Sequence, residues 1–163
     1  MITSGTRRLT TTLRYPATTA GTGTPPARGE GPYPIVVFSQ GFAIPAEAYA
    51  NLLDRWAADG FVVADPTYPL TAPESPGGLD ESDIVRHPSD LTAVITAVIQ
   101  EGSTPGTLLS SLVDARRIGV AGHSDGGDVT EAVAADTCCH DPRVGAAVVL
   151  SGAELTSMGG TYT

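Results

Sequence analysis

The 163-residue sequence contains no lysine. Its 9 basic residues are all arginine and face 18 acidic ones, for a formal net charge of −9. A phosphate backbone is held by a basic surface, so this balance excludes non-specific nucleic-acid binding. Long apolar runs are also missing. None approaches the roughly 18 residues a membrane-spanning helix needs, which excludes a helical span. Charged residues are only 17% and apolar residues 41%, whereas a disordered chain is richer in the first and poorer in the second. Cysteine is limited to the neighbours Cys138 and Cys139. Adjacent Cα atoms lie about 3.8 Å apart and disulfides favour about 4.4–6.8 Å, so the pair is expected to be unbonded at a helix end. The N-terminal stretch has no apolar core of a signal peptide. A mature secreted form and a cytoplasmic protein fit equally, so the sequence assigns no compartment.

The length fits one domain, 1–163, with 1–34 as an N-terminal edge strand and loop. Leu9, Thr11, Leu13 and Tyr15 alternate onto one face of that strand. From residue 35 a regular beat begins. Four short apolar runs, Ile35–Phe38, Phe61–Ala64, Arg117–Ala121 and Gly145–Leu150, do not alternate. Between them lie helical patterns. Tyr49, Leu52, Leu53, Trp56 and Ala57 recur at helical spacing after Pro45 and before Gly60. Leu91, Val94, Ile95, Val98 and Ile99 mark a second helix starting near Ser89, and Val129, Ala132 and Val133 a third from about Gly126. Unalternating apolar runs separated by amphipathic helices are buried parallel strands with crossovers. The expected fold is therefore α/β, a three-layer sandwich around a mostly parallel sheet. The Pro/Gly/acid-rich stretch 67–83 is long enough to suggest function.

The third run leads into Gly122-His123-Ser124-Asp125-Gly126-Gly127. This is G-x-S-x-G between an apolar strand and a helix, the setting in which a sharp turn lifts a serine nucleophile to the sheet edge. Gly122 and Gly126 remove Cβ atoms that would clash in that turn. Ser124 is the candidate nucleophile, at a helix N-terminus whose N–H groups favour developing negative charge. Acyl transfer needs two N–H donors for the oxyanion. Asp125 supplies one candidate, and Phe42, after Ser39-Gln40-Gly41, the other. Tyr68 and Leu70, which follow a strand's C-terminal end, are candidate pocket residues. They suggest an apolar acyl or aromatic ester.

GPYPIVVFSQGF, WAADGFVVADP and GVAGHSDGG together resemble the α/β-hydrolase fold. They resemble in particular its bacterial polyester hydrolases (cutinase-like), chlorophyllase-like esterases and platelet-activating-factor acetylhydrolases. The likeness implies serine-dependent hydrolysis of carboxylic esters through an acyl-enzyme, with a small-molecule or polymeric ester as substrate and no cofactor. It also implies a triad in the order Ser, acid, His. Two departures stand out. Gln40 replaces the histidine usual before the loop glycine, and the sequence ends at Thr163, before the usual acid and His loops. Glu154 is the weak candidate acid. His87, His123 and His140 are expected in surface, capping or elbow roles. No aspartate spacing with these histidines suits a metal. The chain is thus expected to be a partial α/β-hydrolase fold lacking the last strands: a fragment, half of a two-piece enzyme, or an inactive product. The alternatives are a non-catalytic binding module that keeps the pocket, or a peptidase or thioesterase. The strand at 145–150, left without its neighbour, is expected to self-associate or bind a separate C-terminal piece.

Overall fold

The computed structural model describes residues 1–73, 75 and 77–162. Among them, β1 (Ile2–Ser4), β2 (Arg7–Arg14), β3 (Tyr33–Ser39), β4 (Val62–Thr67), β5 (Val113–His123) and β6 (Ala146–Leu150) form one sheet in the order β1-β2-β4-β3-β5-β6. Strands β4, β3, β5 and β6 run parallel; β2 is antiparallel to β4, and β1 to β2. Helices α1 (Ala50–Ala58), α2 (His87–Ser103) and α3 (Asp125–Ala135) complete the three layers. This is the α/β architecture the apolar runs imply.

Alternation along the buried strands divides the core. Ile35, Val37, Val62, Ala64, Ile118 and Val120 face α2 and α3, where Leu91, Val94, Ile95, Val98, Val129 and Val133 meet them. Phe38, Val63 and Ala121 point the other way and pack on Leu53 of α1, with Trp56 beside them. The register then fixes the site. Ser39 pairs with Gly122, so the chain leaves β3 and β5 side by side, and residues 40–42 emerge next to residues 123–125.

Several sequence expectations are corrected. β2 is not an edge strand, because β1 pairs outside it. The first turn before α1 winds as a 3-10 turn, Ala46–Tyr49, and leaves Leu52 exposed. The stretch 67–83, apart from Glu74 and Pro76, which lie outside the described residues, leads into a 3-10 turn, Glu81–Arg86. Cys138 and Cys139 are joined in a vicinal disulfide. The turn that Asp136 holds, accepting the Cys139 and His140 N–H groups on its carbonyl, presents both side chains together.

The two ends of the sheet differ. Toward the β5–β6 end the cover thins: α1 packs mainly on β4 and β2, with Leu53 reaching Ala121 of β5. A cavity of about 520 Å³ opens there, floored by Val36, Gly119, Ala146 and Val148 and walled by Trp56 and Phe61. Val148 is 48% exposed. The C-terminal tail does not cover β6; Tyr162 instead bridges to Asp136 and donates to Glu131. No helix among the described residues is long and apolar enough to cross a membrane.

Candidate active site

Ser124 stands between β5 and α3 with φ +55° and ψ −126°. A non-glycine residue there carries on the order of 1–3 kcal/mol of strain, which the surroundings must hold in place. They do so through hydrogen bonds on both sides. The Ser124 N–H donates to the Leu150 carbonyl at 2.9 Å, and the Ser124 carbonyl accepts from Gly127 and Asp128. The flanking glycines are required by close approach. A Cβ on Gly122 would stand 2.0 Å from the Gly126 carbonyl oxygen, and one on Gly126 would stand 2.0 Å from the Ser39 carbonyl oxygen. The turn thus nests against the ends of both central strands.

The loop after β3 lies on this turn. A Cβ at Gly41 would come within 3.2 Å of the Ser124 Cβ. Ala43 sits at φ +56° and its N–H donates to the Thr71 carbonyl at 2.8 Å. The Phe42 N–H has no partner among the described residues. Behind the loop, the Ser39 hydroxyl meets the Tyr68 hydroxyl at 3.0 Å. The buried Gln40 amide leaves both its oxygen and its nitrogen without a hydrogen-bond partner among the described residues. Burial raises the Asp125 carboxyl, helped by the charges of Glu81 and Asp128 and opposed by Asp125's own backbone N–H.

The structure brings Ser124, Phe42, Asp125, Gly122 and Gly126 together and leaves others apart. Tyr68 is fully buried and stacks on His87 with ring centroids 3.8 Å apart, so it packs the core rather than lining a pocket. Leu70 is half-buried in the adjoining loop. Glu154 is exposed, and no histidine pairs with it among the described residues. His123 turns away from the serine, its Nδ1 lying 3.0 Å from the Tyr49 hydroxyl. His140 is exposed. His87 departs from its expected surface role: it is buried, its Nε2 lies 3.4 Å from an Asp83 oxygen, and burial pushes it down to about 4. Asp83 in turn receives a two-pronged bond from Arg7, which also donates to Asp90. Sequence reasoning missed this buried cluster, because Arg7 is 76 residues away from Asp83 and no local spacing links them. It also missed the contacts of Tyr49, which helical spacing assigns to the core.

The chlorophyllase family model matches residues 13–151. A ferulic acid esterase from Streptomyces cinnamoneus is 30% identical, with a TM-score of 0.70 over 92% of this chain and 53% of its own. A dienelactone hydrolase described as putative, from Klebsiella pneumoniae, shares the fold at 21% identity and a TM-score of 0.59, over 89% of this chain and 60% of its own. The chain thus spans little more than half the length of these solved relatives. No curated protein sequence matches it.

Proposed function

The chain belongs to the chlorophyllase family, within the α/β-hydrolase fold, and from that premise we propose that it is the nucleophile-bearing part of a serine-dependent carboxylic ester hydrolase. The strained backbone of Ser124 carries the reading. A residue held at φ +55° by bonds to Leu150, Gly127 and Asp128 is a conformation maintained for a purpose. The Ser124 hydroxyl attacks the ester carbonyl carbon. The carbonyl oxygen becomes an oxyanion that accepts from the Phe42 and Asp125 N–H groups. Collapse breaks the ester C–O bond; the leaving oxygen takes up the proton that the serine gave up and departs as the alcohol, leaving an acyl-enzyme that water cleaves to the acid.

None of the three histidines makes a hydrogen bond to Ser124. A serine without its base is a weak nucleophile, and an oxyanion hole alone sustains only a small part of the full rate. Esters with good leaving groups are therefore the first substrates to try. The half-buried Phe42 and the 30% identity to a ferulic acid esterase favour an aromatic or apolar acyl group. The Ser124 hydroxyl, without a hydrogen-bond partner among the described residues, favours the second reading, a module that binds esters without turning them over. Hydrolysis of p-nitrophenyl butyrate that disappears in Ser124→Ala supports the enzyme. Equal slow rates in both proteins support the binding module.

A further inference from the structure

The nucleophile and its oxyanion donors leave one neighbouring side chain unexplained. Tyr49 closes the 3-10 turn Ala46–Tyr49, and its ring packs on Phe38 with centroids 4.7 Å apart. A phenylalanine would satisfy that packing. The hydroxyl does more, because it meets two groups from two different strand ends. The Gly41 N–H donates to it at 3.1 Å, and His123 Nδ1 lies 3.0 Å from it. Both distances are good hydrogen bonds. Gly41 immediately precedes Phe42, and His123 immediately precedes Ser124. One phenol therefore joins the residue before the loop donor to the residue before the nucleophile.

One of the two bonds has a fixed direction. The phenol oxygen accepts from Gly41, and its contact with His123 Nδ1 runs in the direction set by the imidazole tautomer. Burial, with the nearby Asp65 charge, raises the phenol's pKa and keeps it protonated, although the Gly41 bond opposes this. With the Gly41 N–H engaged, the next amide along, that of Phe42, is the one free to face an oxyanion. This selects one donor in a loop that offers two.

We propose that Tyr49 is a positioning residue, whose hydroxyl clamps the oxyanion loop to the nucleophile turn through Gly41 and His123 without touching substrate. The proposal rests on the reading of Ser124 as a nucleophile. Tyr49→Phe keeps the ring and removes the clamp, and two readouts follow. The first is amide hydrogen exchange by NMR. Exchange at Gly41 should quicken at least about tenfold while that of Val37, inside the sheet, stays unchanged. The second is turnover of p-nitrophenyl butyrate, or the labelling rate of Ser124 by a fluorophosphonate. This should fall about tenfold with KM unchanged, because a misplaced donor is felt in the transition state and not in binding. His123→Ala removes the other anchor and should show the same split. If the wild type never reacts at Ser124, the functional reading fails, and the Gly41 exchange rate still decides whether the clamp exists. Unchanged Gly41 exchange in Tyr49→Phe overturns the proposal. So does a reaction rate equal to that of a reactive wild type, or a loss confined to KM.

Discussion

The two ends of the sheet are built on different terms. At the β1–β2–β4 end, edge residues are tied down by buried charge. Arg7, whose side chain is 14% exposed, meets Asp83 at 2.6 Å and Asp90 at 2.8 Å, both acids being almost fully buried. At the other end of β2, Arg14 reaches the buried Asp65. At the β5–β6 end the arginines are at the surface. Arg116 is 88% exposed beside Asp114, β6 is exposed along its whole length, and an apolar cavity lies open on one face. The first end is closed by interactions that cost heavily to break, and the second offers a surface with little to lose. The candidate site sits at the boundary, where β3 and β5 end side by side.

The largest effect expected from that contrast is the loss of Arg7. Arg7→Ala leaves the buried Asp90 without its cation and Asp83 with the longer Arg86 contact at 3.8 Å, and should destabilise the fold by about 3–5 kcal/mol in urea unfolding. Arg116→Ala, at the open end, should leave the urea midpoint nearly unchanged, because an ion pair to a fully exposed guanidinium is screened by water. Similar values for the two would erase the distinction between the ends.

The next effect depends on pH. Burial pushes the Asp65 carboxyl up to about 6, against the pull of Arg14 and with the charge of Glu47 adding to it. Between the ordinary carboxylate value and 6, the folded chain holds a proton that the unfolded chain has released. Stability therefore falls as pH rises through that window, and the cost is complete above 6. Asp65→Asn removes the titration. It should gain on the wild type between pH 4 and pH 6 by up to about 3 kcal/mol. A constant difference across that range would show that Asp65 ionises freely in the fold.

The smallest effect on stability, and the clearest on assembly, belongs to β6. An apolar, uncharged edge with unpaired backbone groups pairs with another chain. The wild type should therefore sediment as dimers or larger species at micromolar concentration. Val148→Lys should return it toward monomer while changing unfolding free energy by less than about 0.5 kcal/mol. A wild type that sediments as a monomer would show the edge to be harmless.

What the sequence revealed and what it hid follow from the range of the forces. The four apolar runs and the helix spacings are local signals, and they placed β3 to β6 and all three helices within a few residues. The elbow was legible because a steric rule fixes glycine at 122 and 126 within one turn. Tyr68 was misread as pocket lining because its neighbour His87 stands 19 residues on, and only the folded chain stacks the two rings. Helical spacing correctly marked Tyr49 as inward-facing but carried no sign of its bonds to Gly41 and His123, which depend on β3 and β5 being neighbours. The disulfide was missed because the average spacing of bonded cysteines says little about a turn that turns two adjacent side chains toward each other.

The central claim is that Ser124 is a nucleophile held ready by its backbone. The most direct measurement is covalent labelling of the 163-residue chain with a fluorophosphonate, followed by intact mass and peptide mapping. The account predicts one adduct per chain, on Ser124, and none on Ser124→Ala. An unlabelled chain, or an adduct that persists in Ser124→Ala, would contradict it.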